Sequence, residues 1–434
     1  MYPYFPCGFM SRHPLVVIGG GGGGLVAAAR AASMGTRVVL LERNRRLGIK
    51  LRISGGGKCN ITHAGPMESL LTAFRPPEAR FLKHAFFRCT NRDVLRRIAE
   101  EGVPTFARED GRVFPVSGRA DDVVEALTAP LRRAGVDIRL ESRVTSLAFE
   151  GESIAGAVVD GNLVPSSHII VATGGVSYPK TGTTGDGFIW LASLGHTIIP
   201  LRPALAPMRI SPPLPGSWRG VALRNGRLSV FSGGTKVAGW NGDVLFTHEG
   251  LSGPATLEVS RTAAQGLEEG TVTVYYDFFP SKEFTELDAD LQKEIRTTPS
   301  RMIATLLNAW LPNRIVSHLL HSMGIAPETR GYQLTREQRR AISRLLKSWE
   351  IGRVSQIDRE RGEVTAGGVS LEEVDPRSMR SRKVRGLYLC GEVLDIAGSV
   401  GGYNLQAAFS TGFLAGESAA RDWLDSAEGH STLP

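Results

Sequence analysis

The stretch LVVIGGGGGGLVAAARAASMGTRVVLLE, residues 15–42, decides the fold class. Four apolar, mostly β-branched residues make a strand, six glycines a turn, the alanine-rich run a helix, and Val38 to Leu41 a second buried strand ending in Glu42. An apolar run, a helix-period segment and another apolar run form one βαβ unit with parallel strands. The spacing Gly19-x-Gly21-x-x-Gly24 follows the first strand and opens the helix, the context a dinucleotide fingerprint requires. Gly19 permits the tight turn, Gly21 lets backbone approach a diphosphate, and Gly24 lets helix and strand pack closely. Free N–H groups at the positive helix end attract the phosphates. Glu42, closing the second strand, is placed to accept bonds from ribose hydroxyls and would repel a 2′-phosphate. Six glycines fit the motif in several frames, so a merely flexible turn is the competing reading. The fingerprint does not separate NAD from FAD.

The far end of the chain addresses that choice. The buried-strand run GLYLCGE (386–392) ends in Gly391-Glu392, followed by Gly402-Tyr403-Asn404-Leu405-Gln406 and an alanine-rich helix from Asn404 to Ala420. A strand-tip acid can hold ribityl hydroxyls, and a glycine-opened helix start can aim N–H groups at the flavin C2 carbonyl. The turn Ala172-Thr173-Gly174-Gly175 is a third close approach of backbone to a ligand. Between Glu42 and the next helix lies GIKLRISGGGKCN (48–60), where Gly55 and Gly56 permit near approach and Lys50, Ser54, Lys58 and Asn60 supply donors. Cys59 beside Lys58 is a candidate redox thiol, but it has no neighbouring cysteine to exchange with, and an inert packing role competes.

The α/β texture at both ends implies one discontinuous domain with the middle inserted: residues 14–199 and 371–425 flanking a β-rich segment 200–280, a helical segment 281–350 and a return stretch 351–370. VDIRL (136–140), RVTSLAFE (143–150), IAGAVVD (154–160) and HIIVATGG (168–175) read as strands, with Asp160-Gly161 as a tight turn. VALRNGRLSVF and VAGWNGDVLF, each centred on an Asn-Gly pair, and the alternating TVTVYYDF argue for a small antiparallel sheet or barrel. Helical stripes run through Met302, Ile303, Leu306, Leu307, Trp310 and Leu311, and through Ile342, Leu345, Leu346 and Trp349.

Composition excludes other classes. The chain has 434 residues, 42% hydrophobic and 22% charged, which rules out fibrous and disordered readings. Its four cysteines form no CxxC pair and have no histidine partners at zinc spacing, so neither a disulfide scaffold nor a metal is expected, and a reducing, cytoplasmic setting fits. No apolar run reaches the roughly 20 residues of a membrane helix. The N-terminus lacks a secretory pattern, and Met10 competes with Met1 as the start. Net charge is +8, densest from Arg377 to Arg385 without interleaved aromatics. A solvated loop is preferred over nucleic-acid binding for that run, because charge speaks to solubility before function, so a small-molecule substrate and not nucleic acid is the expected partner. The sequence is silent on oligomeric state.

ISGGGKCNITH, GRVFPVS (111–117), ATGGVSYPKTGTTGDG (172–187), FTHEGLSGPA (246–255), VTAGGV (364–369) and GEVLDIAGSVGGYNLQAAFSTGFLAG (391–416) resemble the signature blocks of the BaiN-like NAD(P)/FAD-dependent oxidoreductases, bacterial flavoproteins that include aminoacetone oxidase. The likeness runs from about residue 14 to 424. It implies an α/β, discontinuous Rossmann-like FAD-binding domain of glutathione-reductase type with inserted β-barrel and small helical domains. It places FAD contacts on Gly19, Gly21, Gly24, Glu42, Arg43, Lys50, Ser54, Gly55, Gly56, Lys58, Cys59, Asn60, Val144, Ala172, Thr173, Gly174, Gly175, Gly391, Glu392 and Gly402 to Gln406, Tyr403, Asn404 and Leu405 included. Ile49 stands where the family usually has Arg, and His63 where it often has Asn.

Flavin passes a hydride between a substrate carbon and N5, and the protein positions and tunes. The first reading is therefore oxidation of a small amine or alcohol, or reduction of an activated alkene, with O2 or NAD(P)H as the other redox partner. No second GxGxxG offers a nicotinamide domain, so NAD(P)H would dock transiently. An RNA-modifying flavoprotein and a non-catalytic flavin-binding regulator are the alternatives. Cys59, as a thiol, and His63, Tyr178 and Tyr403 are the catalytic candidates; His63, Tyr178, His248 and Tyr403 could orient a substrate, each with a structural hydrogen bond as the competing role. A serine hydrolase has no support, since no GxSxG elbow is present.

Overall fold

A computed structural model describes residues 13–428; the alternative starts Met1 and Met10, and Cys7, lie outside the described residues. Two compact units divide the chain, one running up to Leu201 and resuming at Thr365, the other Arg202–Val364. No described helix is long and apolar enough to cross a membrane.

In the first unit five strands, β1 (Leu15–Ile18), β2 (Val38–Leu41), β3 (Asp137–Arg139), β4 (Ile169–Val171) and β5 (Leu387–Leu389), form a parallel sheet in the order β5-β4-β1-β2-β3. The central strands are apolar throughout because both faces of a parallel sheet are covered. Helix α1 (Gly22–Ser33) joins β1 to β2, α2 (Pro76–Arg88) buries Phe81, Leu82, Ala85 and Phe86, and the 26-residue α3 (Tyr403–Glu428) closes the unit. α1 and α3 meet backbone to backbone: a Cβ at Gly412 would lie 2.2 Å from the Gly23 carbonyl. The alanine-rich composition of both helices permits that approach, and with the β4–β5 pairing it joins the chain's ends in one α/β layer. The strands Val144–Glu150, Ser153–Val159 and Asn162–Pro165 form a separate antiparallel sheet, with Asp160 and Gly161 both at positive φ in the turn.

The second unit is a closed six-stranded barrel with helices. Two sequence expectations are corrected here. Asn225-Gly226 and Asn241-Gly242 lie inside the long strands Ala222–Ser232 and Thr235–Phe246, and Gly233-Gly234 makes the turn. Gly226 sits at a register shift where a Cβ would come within 2.2 Å of the Tyr276 ring, so glycine there serves a close approach. Trp349 does not continue the helix Arg336–Lys347; it opens the barrel strand Trp349–Ile357 and stays buried among Trp218, Phe246 and Phe278. Barrel and helices contribute to one hydrophobic cluster, with Ile303, Leu307 and Ile315 from the helical segment and Val230, Val274 and Phe246 from the barrel among its members.

Candidate cofactor site

The three fingerprint glycines are distinguished by their surroundings. Gly19 turns at φ +107°, and a Cβ on it would lie 2.5 Å from the Ala172 carbonyl; one on Gly24 would lie 1.8 Å from the Gly19 carbonyl. A Cβ on Gly21 would meet nothing within 4 Å, so open space faces the start of α1. No side chain caps that start, leaving first-turn N–H groups at the positive end of the helix for an anion. Glu42 is buried, its Oε2 accepting the Gly20 N–H at 2.7 Å and its Oε1 the Asn44 N–H at 2.8 Å and Nδ2 at 2.7 Å. These donors stabilise a buried carboxylate without a cation and fix its orientation. Asn44, which sequence reasoning missed, is signalled only by its place two residues after the strand-end acid. Arg43 reaches Thr184 Oγ1 at 2.5 Å and Asp186 at 3.2 Å, and Val144 is buried where its strand begins.

At the sheet's other crossover three signature blocks converge. Lys50 Nζ lies 2.6 Å from Glu392 Oε2, while Glu392 Oε1 accepts the Thr365 N–H at 2.7 Å. A Cβ on Gly175 would fall 2.8 Å from Glu392 Oε1 and 2.3 Å from Thr365 Oγ1. Thr365 also receives the Val176 N–H and bonds Ser177 at 2.8 Å; neither Thr365 nor Ser177 was singled out from sequence, though both lie inside signature blocks. The Thr173 hydroxyl is buried without a hydrogen-bond partner. Ser54 is extended, Gly55 to Gly57 follow at positive φ, and Lys58 is exposed beside them.

The start of α3 is held from several sides. Asn60 accepts the Gly402 N–H at 3.0 Å and donates to the Thr62 carbonyl at 3.3 Å. Asn404 exchanges bonds with Gly398 at 2.8 and 2.9 Å, and Gln406 accepts from Thr62 Oγ1 at 2.6 Å while donating to the Cys89 carbonyl at 3.2 Å. Leu405 packs against the core. Tyr403 stacks on His63, rings 5.0 Å apart and 17° from parallel. His63 Nδ1 accepts the Gly65 N–H at 3.2 Å, so Nε2 carries the proton and donates to the Asp110 carbonyl at 3.1 Å. Thus His63 and Tyr403 come together, Tyr178 holds φ +50° where its carbonyl receives the Thr181 N–H, and His248 belongs to the second unit, 3.4 Å from Glu249.

Cys59 is fully buried, and burial pushes its thiol up to about 11. The thiolate is the nucleophile, so we expect Cys59→Ser to retain flavin and turnover, and iodoacetamide at neutral pH to leave wild-type activity intact. Alkylation of Cys59 with loss of activity, read by mass spectrometry, would contradict the packing role.

Residues 13–418 match the family described as HI0933-like protein Rossmann domain. The chain is 31% identical over 387 residues to the 3-dehydro-bile acid delta(4,6)-reductase of Clostridium scindens, covering 88% of this chain and 93% of that protein. It is 30% identical over 405 residues to the ribosomal RNA dihydrouridine synthase of Escherichia coli (strain K12), covering 93% and 96%. Among solved structures, the 3-ketosteroid delta1-dehydrogenase of Sterolibacterium denitrificans superposes with TM-score 0.52 at 14% identity over 95% of this chain and all of that one, a likeness of fold alone. The open Gly21 face, the uncapped α1 start and the orphaned Thr173 hydroxyl fit a dinucleotide, and the cofactor is FAD.

Proposed function

The chain belongs to the HI0933-like family of FAD-dependent oxidoreductases, and from that premise we propose that it saturates a carbon–carbon double bond conjugated to a carbonyl, with NAD(P)H as reductant. One observation carries the reading: both relatives, each about as similar as the other, bear names that denote hydrogenation of such a bond, in uridine and in a 3-oxo steroid. FAD bound there would supply hydride transfer from NAD(P)H to the alkene carbon β to the carbonyl. A proton from water or an acidic side chain completes the α carbon, and NAD(P)+ leaves, so electrons and atoms balance.

The chain's own residues bind and orient. The α1 start and Gly21 hold the diphosphate, Glu42 the adenosine ribose, and Lys50, Glu392 and the Thr173 hydroxyl the ribityl side. The positive end of α3, fixed by Asn60 and Asn404, favours negative charge on the pyrimidine edge of the flavin. The His63–Tyr403 stack steadies that helix start. The +8 charge and a sequence pI near 9.5 favour a uracil in RNA over a steroid, as does a second relative with the ribosomal RNA name, from Haemophilus influenzae.

Anaerobic mixing of NADPH-reduced enzyme with unmodified ribosomal RNA or with a 3-oxo-4,6-diene steroid tests this. The expected result is flavin reoxidation by the RNA, with dihydrouridine in the digest. Reoxidation by dioxygen but by neither alkene would remove the proposal; reoxidation by the steroid alone would keep the reaction and remove the RNA substrate.

A further inference from the structure

We infer that the exposed face of α2, continued by Arg92 in the helix Asn91–Glu100, is an RNA-docking surface; this rests on the RNA reading above. α2 buries Phe81, Leu82, Ala85 and Phe86, and turns Arg80, Lys83, His84 and Phe87 outward at i, i+3, i+4 and i+7. Side chains at those spacings stand about 5–6 Å apart in one row, a ladder of cations for successive phosphates. None of the ion pairs among the described residues uses Arg80, Lys83 or Arg92, whereas neighbouring Arg88 is committed to Glu417. Phe87 is 47% exposed in this basic row. A solvated helix face gains nothing from a bare phenyl ring, but a single-stranded base stacks on one.

The row also begins in the right place. The Glu78 carboxylate, in the first turn of α2, accepts the Ala397 N–H at 3.4 Å. The Phe74 ring lies where a Cβ on Gly398 would meet it at 2.6 Å, and Asn404 grips that same Gly398. The cationic face therefore starts beside the segment that sets the start of α3. The run Arg377–Arg385, the denser cluster in sequence, precedes β5 and so lies at the opposite, strand-entry end of the sheet. Its Arg380 is paired with Asp422 and its Lys383 with Glu373 at 2.8 Å.

The test uses FAD-loaded protein and a short fluorescein-labelled, single-stranded, uridine-rich RNA, with anisotropy followed across salt concentrations. Arg80→Glu, Lys83→Glu and Arg92→Glu combined should weaken binding at least about tenfold. They should also flatten the log–log salt slope by about 2, three phosphate contacts at roughly 0.7 each. Phe87→Ala should weaken binding about tenfold with the slope unchanged. The comparison variant Arg377→Glu, Arg382→Glu and Arg385→Glu should bind as wild type, and FAD content and melting temperature should match in all. Wild-type binding by the first variant, equal loss in the comparison variant, or no retention of RNA by wild type at about 100 mM salt would each overturn the surface. RNA bound through this face but not reduced would uphold the surface and refute the RNA substrate reading; steroid reduction without RNA retention would do the reverse for the surface and leave alkene reduction standing.

Discussion

Gly24→Ala should give a colourless, destabilised protein, while Gly21→Ala should fold normally and still fail to hold FAD. The added methyl at position 24 would lie 1.8 Å from the Gly19 carbonyl. Both partners are backbone, one in α1 and one in the turn after β1, so no side chain can swing aside. Overpacking a core costs about 1–3 kcal/mol where side chains can adjust, and a backbone collision belongs at or above the top of that range. At position 21 the methyl meets nothing within 4 Å, so the fold is untouched, and the methyl would occupy the open space proposed above for the diphosphate. Flavin-to-protein absorbance ratios and melting curves of the two apoproteins separate the cases. Equal melting temperatures for both, or full flavin retention by Gly21→Ala, would contradict the assignment.

Glu417→Gln should be the most destabilising isosteric change in the first unit. The Glu417 side chain, 2% exposed, lies 2.8 Å from Arg30 and 2.9 Å from Arg421, and also bonds Arg88, joining α1, α2 and α3. The guanidiniums of Arg30, Arg88 and Arg97 also lie over the Phe413 ring. Removing one partner of a buried pair costs about 3–5 kcal/mol because the other charges stay behind; as Arg88 and Arg421 reach solvent, about 3 is expected. Burial alone would raise the Glu417 carboxyl, but the hydrogen bonds and charges of Arg88 and Arg30 hold it down to about 2 from an ordinary 4.5. A depressed acid contributes stability that is complete above the unfolded value and is lost as pH falls toward the folded one. The gap between wild type and Glu417→Gln in urea unfolding should therefore be widest at pH 7 and shrink between pH 4.5 and about 2. A gap independent of pH would show that the charge is not what matters.

The readable parts of this fold were those in which local pattern and global role coincide. Residues 15–42 carry their period, glycines and terminal acid in one contiguous window, and the strand GLYLCGE announces its burial by composition. Gly226 was misread because a glycine at a turn and a glycine beneath a cross-strand aromatic look alike in sequence; only the partner Tyr276 tells them apart. Trp349 kept helical spacing by coincidence, since a buried aromatic suits a strand start equally well. Asn44, Ser177 and Thr365 escaped notice because they orient other groups through bonds that form only after distant segments meet. Asn44 bonds the carboxylate of Glu42, and Thr365 binds across to Val176 and Glu392. The charge was legible and its placement was not: the densest cationic run became a partly paired strand entry, and the sparser α2 row became a continuous face.

Hydrogen exchange of apoprotein against FAD-reconstituted protein measures directly whether both ends of the chain hold one FAD. The expected result is that FAD slows exchange together at the 19–24 turn, at 173–175 and at 401–406, with one FAD bound per chain. Protection at the amino-terminal turn with unchanged exchange at 401–406 would contradict it.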